Sequence, residues 1–288
     1  MFRLKKYTQI LLPQQVKRLR YAIAACLLIS HPHLFTMENN GRGTKAIGMA
    51  NAFAAVSDNC WAINYNPAGL AALTVFQCSA FIVPEQFGLQ ELRTTAFAAA
   101  NRFAFATIGM KAEKFGFDLY SETEFGLALA STIDSTLAAG LSFQYHRLEI
   151  AGYGTAGSFF LDGGLMMRVL ERVKVGFSVH NMTAARLGRT GEKIPQVTDL
   201  GTCWSPFDNL HVSLDMEKDI RFPASIKMGI EQIVFSAVAL RAGAANNPDK
   251  YSFGIGVRYS LFEFGYAGYS HPDLGWTHQV DVSFRLDE

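Results

Sequence analysis

No run of about 18 apolar residues occurs in the chain, so an α-helical membrane span is excluded. Cysteine is sparse, with four in 288 residues. Cys60, Cys78 and Cys203, which lie beyond the N-terminal region, are odd in number and far apart. They offer neither a disulfide framework nor a metal spacing, and read as isolated small apolar residues. The seven histidines show no ligand spacing either. Charged residues make up only 18%, against a usual share of about 25%. What charge there is sits unevenly. Arg3, Lys5, Lys6, Lys17, Arg18 and Arg20 crowd the first 20 residues without an acid, and the rest holds 20 basic against 25 acidic residues, a net of −5. A mildly acidic body excludes nucleic acid as a partner.

From about residue 75 the chain alternates apolar and polar residues in short runs joined by turns. Tyr251, Phe253, Ile255, Val257 and Tyr259 share one face, opposite Ser252, Gly254, Gly256 and Arg258. Val280, Val282, Phe284 and Leu286 alternate with Gln279, Asp281, Ser283 and Arg285. A period of two marks a strand with one apolar and one polar face. About fourteen such strands are expected, near 75–83, 93–100, 103–111, 120–130, 136–148, 158–169, 173–181, 196–204, 210–217, 225–233, 238–244, 251–259, 262–269 and 275–286. Connections after even-numbered strands are short, as at 101–102, 170–172 and 260–261. Those after odd-numbered strands are mostly longer, as at 84–92, 112–119, 149–157 and 182–195. Long and short loops segregated to opposite ends, with an even strand count, predict an all-β fold: a transmembrane antiparallel β-barrel with its apolar faces outward. Lys227, Glu231, Arg241, Arg258, Asp281 and Arg285 then point into the lumen. Tyr145, Trp204, Tyr259, Tyr266, Tyr269 and Trp276 are expected to form interfacial girdles.

The first residues are ordered as an export signal: a basic stretch to Arg20, an apolar run from Tyr21 to Ile29, then Ser30-His31-Pro32-His33. A signal peptide is expected over 1–36, its cleavage site unmarked. Residues 37–74 neither alternate nor form a strong helix. They are Ala-rich and loosely helical up to Ser57, and Asn66-Pro67-Ala68-Gly69 marks a turn. A barrel of about fourteen strands (75–288) is too wide for side chains alone to fill, so this segment is expected inside it as a hatch.

Gly43-Thr44-Lys45-Ala46-Ile47-Gly48-Met49-Ala50-Asn51-Ala52-Phe53-Ala54-Ala55-Val56-Ser57-Asp58-Asn59, followed by the Asn66-Pro67-Ala68-Gly69-Leu70 turn, resembles the N-terminal signature of outer-membrane hydrophobic-compound transporters, the long-chain fatty-acid transporter family. Asp162-Gly163-Gly164, His180-Asn181, Ile194-Pro195 and Leu214-Asp215 are similar to its short relatives, such as the barrel component of the type IX secretion system. The resemblance implies a fourteen-stranded barrel with a lumenal hatch, in the outer membrane of a Gram-negative-type bacterium. It implies Asp58, Asn66, Pro67, Ala68 and Gly69 as hatch residues. The chain departs from the family in its short loops and in a C-terminus, Phe284-Arg285-Leu286-Asp287-Glu288, that lacks a terminal aromatic.

Chemistry beyond this is thin. Gly41-x-Gly43-x-x-Ala46 fits a dinucleotide fingerprint in letters only, since no strand precedes it and no crossover helix follows. Ser142 and His146 share a polar face but lie about 13 Å apart along a strand, too far for a nucleophile–base pair. The expectation is no enzyme, no cofactor and no metal. The chain is expected to carry small hydrophobic molecules such as fatty acids, with Phe53, Trp61 and Tyr65 lining an apolar pocket. The alternative is a barrel that docks secreted or surface proteins in a secretion apparatus. Expected partners are outer-membrane lipid and, according to the reading, a hydrophobic small molecule or secretion-system proteins.

Overall fold

The computed structural model describes residues 41–188 and 191–286; the export signal expected over 1–36 lies outside them. The strands are β1 (Gln77–Val83), β2 (Thr94–Arg102), β3 (Thr107–Phe117), β4 (Tyr120–Thr132), β5 (Leu137–Ile150), β6 (Gly154–Leu170), β7 (Val173–His180), β8 (Arg186–Leu187), β9 (Glu192–Lys193), β10 (Val197–Phe207), β11 (Leu210–Asp219), β12 (Ser225–Val234), β13 (Val238–Ala245), β14 (Lys250–Tyr259), β15 (Phe262–His271) and β16 (Gly275–Arg285). Fourteen of them close into an antiparallel barrel in chain order, with β1 pairing β16 from Gln77↔Arg285 to Ile82↔Val280. β8 and β9 form a separate two-stranded hairpin. The fourteen-stranded expectation holds, and the small hairpin is an addition. Two residues per strand carry too little pattern to be read.

The alternation resolves as expected. Leu129, Leu141, Leu161, Leu214, Met228 and Leu240 are exposed on the outside. Their strand neighbours Ser142, Asp162, Ser213, Asp215, Lys227 and Arg241 are buried inside. On β5 the outward positions Leu137, Ala139, Leu141, Phe143 and Tyr145 are free of charge, whereas Arg147 and Glu149 continue the same face. Nine residues of a tilted strand rise about 20–25 Å, the height of an apolar band on a membrane barrel.

Three expectations need correction. The long connections expected at 112–119 and 149–157 are strand: the turns are only 118–119 and 151–153. Above the belt no lipid demands an apolar outer face. Lys114 and Arg147 stand on it, and the alternation fades while the ladder continues. Within 41–57 only Thr44–Gly48 is α-helical (α1), because the Ala–Gly-rich stretch bends to follow the wall. Finally, Tyr269 faces the lumen, beneath the 84–93 connection, with Lys250 Nζ 4.2 Å from its ring centre and Phe87 edge-on. Trp204, Tyr259 and Trp276 are exposed on the outer face near strand ends, in keeping with girdle positions.

Because Leu141 sits mid-belt beside Leu129, Leu141→Arg should destabilise the folded barrel in liposomes by about 2–4 kcal/mol. Urea titration of refolding into vesicles measures this; a change within 0.5 kcal/mol (about the scale of a neutral surface substitution) would contradict a lipid-facing position.

Candidate functional site

The residues that resemble a family motif come together inside the barrel. α1 lies against β13, β14 and β15, and a 3₁₀ turn at Pro67–Ala72 lies against β4, β5 and β6. A second 3₁₀ turn, Cys60–Asn64, packs between them. Each turn starts on an asparagine whose side chain caps it: Asn59 accepts from Trp61 N at 3.0 Å, and Asn66 from Ala68 N at 3.1 Å.

The Asn-Pro-Ala-Gly motif can be explained residue by residue. Asn66 is fully buried, and its Nδ2 donates to Ala54 O (2.8 Å) and to Leu165 O of the wall (3.0 Å). One side chain thus caps a turn, ties two parts of the segment and fastens both to β6. Pro67 occupies the first position of the turn, where its missing N–H costs nothing. Pro67 and Ala68 lie on Gly140, where a Cβ would come within 2.4 Å of Pro67 C. At Gly69 a Cβ would stand 2.0 Å from Ser57 O, so only glycine fits. Asp58 accepts from Lys45 Nζ at 2.7 Å, and Lys45 also pairs with Glu231 of the wall at 2.8 Å.

The wall is carved to receive this backbone. Inward glycines line the contact: a Cβ on Gly176 would stand 2.1 Å from Ala54 O, and one on Gly243 2.4 Å from Met49 C. Where the wall is not glycine it offers acceptors. Asp281 accepts from Thr44 N (2.8 Å) and Oγ1 (2.9 Å), at the start of α1 where a carboxylate suits the free N–H groups. Asp215 accepts from Ala54 N, and Ser252 Oγ from Ala50 N, both at 2.8 Å.

Around this core several lumenal charges are paired. Glu231 bridges Lys45 and Arg241, and Arg241 reaches on to Glu263. Across the lumen Arg42 pairs with Glu113, and Lys111 with Glu124 at 2.5 Å. His146 stands between Glu122 (3.8 Å) and Glu124 (3.7 Å). Ser142 donates to Asp162 at 3.2 Å, not to His146.

Phe53, Trp61 and Tyr65 are at most 5% exposed. Phe53 meets Tyr65 edge-on at 5.1 Å and Trp61 meets Phe81 at 5.8 Å, so all three pack the segment to itself and to the wall. The cavity that adjoins the segment is lined instead by Thr44, Lys45, Asp58 and polar wall residues, and none of the three aromatics borders it.

The wall has one marked irregularity. β6 pairs with β5 along its whole length, from Ile150↔Gly154 to Leu137↔Met167. Its ladder with β7 begins only at Gly163↔Val179. From Gly154 to Asp162, β6 has no ladder partner on the β7 side, where β8 of the small hairpin lies against it instead, and Met182 N→Leu161 O (2.7 Å) is the rung that ends the seam. On the lumen side of this gap Leu148, Phe160, Leu187 and Ile194 are buried, and a Cβ on Gly188 would touch Ala156 at 2.8 Å. Sequence reasoning missed this feature, although the Gly154–Leu170 strand, outlasting the Val173–His180 strand that follows it, is its source.

No family model and no curated protein sequence matches the chain. Solved structures do. The toluene transporter TbuX of Ralstonia pickettii superimposes with a TM-score of 0.65 at 13% identity, over 87% of this chain and 100% of that one. The toluene transporter TodX of P. putida gives 0.65 at 11% identity, over 86% and 99%. A Pseudomonas aeruginosa FadL homologue gives 0.59 at 11% identity, over 85% and 98%. The likeness is one of fold.

Asn66→Ala would leave the Ala54 and Leu165 carbonyls without their donor, a loss of about 1–3 kcal/mol. The segment 41–74 should then become open to protease while the barrel, whose ladder closes without it, keeps its heat-modifiable mobility on gels. Unchanged protection of the segment would contradict its fastening by Asn66.

Proposed function

We propose that the chain is an outer-membrane channel for small hydrophobic molecules, delivered by a leader over 1–36 and gated by residues 37–74 acting as a hatch. The outward apolar belt supports a bilayer location, and the lumen filled by residues 41–74 supports gating rather than open diffusion. The observation that carries the reading is the seam between β6 and β7. It lies at the top of the apolar belt, with Phe159 on its outer side and Leu148, Phe160, Leu187 and Ile194 behind it. A hydrophobic molecule partitioned into the outer leaflet meets apolar surface at this unpaired stretch, and displacement of the β8–β9 hairpin that covers it would let the molecule pass inward without entering water. Below it the lumen is polar, so onward passage requires the segment carrying Phe53, Trp61 and Tyr65 to shift and expose those rings. Asp58, Asn66, Pro67, Ala68 and Gly69 are then the residues that hold the closed state.

TbuX and TodX, which share the fold, are toluene transporters by name, so small aromatic hydrocarbons are tried as cargo beside the fatty acids. Two of the compared structures are transporters by name, and no compared structure is named for protein docking.

The test is a tether. Ala54 Cβ lies 3.1 Å from where a Cβ on Gly201 would sit, slightly inside the 3.5–4.5 Å of a disulfide, and the Asp215 carboxylate, 2.2 Å from the same point, must turn aside to admit it. In a background with the four native cysteines replaced by serine or alanine, Ala54→Cys with Gly201→Cys should lock the segment to the wall. Uptake of radiolabelled toluene or oleate into proteoliposomes should fall to the protein-free level when oxidised and recover on reduction. Uptake above that level by the fully oxidised protein would refute the hatch, and no uptake by the untethered protein would refute transport.

A further inference from the structure

At the end of the barrel that holds the start of β1 and the end of β16, a cavity of about 140 Å³ lies between the lumenal segment and the wall. It is polar. Thr44, Lys45 and Asp58 form its roof, and the ends of β12–β16 form its sides. Four cations and four carboxylates border it, and each carboxylate has at least one partner. Asp281 turns both oxygens to Thr44. Asp58 is held by Lys45, and Glu231 by Lys45 and Arg241. Glu263 alone serves two guanidiniums, Arg241 at 3.1 Å and Arg258 at 3.2 Å. Arg285 has no ion pair among the described residues. At the open end of the cavity, among the described residues, two guanidiniums, Arg258 and Arg285, stand beside one carboxylate, Glu263.

The register lets the two arginines converge. Arg258 pairs with Glu263, Glu263 with Ser283, and Arg285 follows Ser283 by one pleat on the same inward face. Two strand spacings and one pleat put their backbones about 12 Å apart, within the joint reach of two arginine side chains across one anion. The hydroxyls of Ser236 and Ser260 line the same space and supply neutral donors, while Ser283 Oγ donates to Ser79 Oγ at 2.9 Å.

We propose that this mouth is a binding site for one small anionic group, a carboxylate or a phosphate, gripped by Arg258 and Arg285. A guanidinium fork suits either anion, and a recess with low-dielectric walls strengthens the attraction relative to an open surface. A bulk anion and the phosphate of a phospholipid headgroup reaching the rim share this chemistry. The inference stands independently of what the barrel transports.

The full chain in neutral detergent, dialysed against ³²P-labelled inorganic phosphate, should bind one phosphate per chain with a dissociation constant on the order of 1 mM. Separately, native mass spectrometry from phosphatidylglycerol nanodiscs should show one retained lipid. Phosphate binding without a retained lipid assigns the site to a soluble anion, and the reverse assigns it to the headgroup. Arg258→Gln with Arg285→Gln should weaken either signal at least tenfold while the heat-modifiable mobility stays unchanged. Arg147→Gln, on the outer face of the opposite end, should leave both intact. Saturable binding of neither probe by the unaltered chain, or equal binding by the double variant, would overturn the proposal.

Discussion

Except along the seam of β6, each strand of the wall is laddered to a neighbour on both sides, and the ring closes between β1 and β16. In a medium with no hydrogen bonds to offer, closure alone spares a sheet its unpaired edges. Closure also dictates which side is oily. With the outer surface given to Leu141, Leu214, Met228 and their neighbours, the inner surface is left to Ser142, Asp215, Lys227 and Arg241. That polar lining then sets the terms for whatever fills the lumen.

The filling is backbone rather than bulk. Inside a wall that is largely polar the hydrophobic cluster around Phe53, Trp61 and Phe81 is confined, so the segment 41–74 also meets the wall through its own N–H and C=O groups. Asp281, Asp215 and Ser252 accept from it, Asn66 donates from it to the wall, and glycines such as Gly140, Gly176 and Gly243 let it approach within contact of the strands. The segment's apolar side chains, Phe53, Trp61, Ile63 and Leu70, turn toward one another or toward the few small wall residues, such as Ala98 and Ala128. A fit made of many short polar contacts is specific, and it can be undone by a modest shift, because each bond lost can be replaced by water.

The barrel was legible in the sequence because lipid enforces a strict period of two wherever it touches a strand. The strands over 251–259 and 275–286 were placed almost to the residue for that reason. Where lipid stops, so did the signal: the hairpins around 118–119 and 151–153 looked like loops, because Lys114, Arg147 and Glu149 break the outward pattern without breaking the ladder. Tyr269 was misplaced to the outer girdle because an aromatic near a strand end has the same letter on either face. The asparagines of the lumenal segment and the Asn-Pro-Ala-Gly turn were visible as a motif, but their roles were not. That Asn66 fastens three backbones, or that Gly69 makes room for Ser57, depends on contacts between segments that no local pattern encodes. The seam beside β6 was invisible for a similar reason, since it arises from two strand lengths compared across a pairing.

The account stands or falls on which face of the wall meets lipid. Nitroxides placed singly at Leu129, Leu141, Leu214 and Met228 in liposomes, with power-saturation measurement of their collision rates, test it directly. The account predicts high accessibility to dissolved oxygen and low accessibility to a water-soluble nickel chelate at all four, and low oxygen accessibility at Ser142 and Ser213 beside them. Nickel access at the four apolar positions equal to that of a free aqueous label would contradict it.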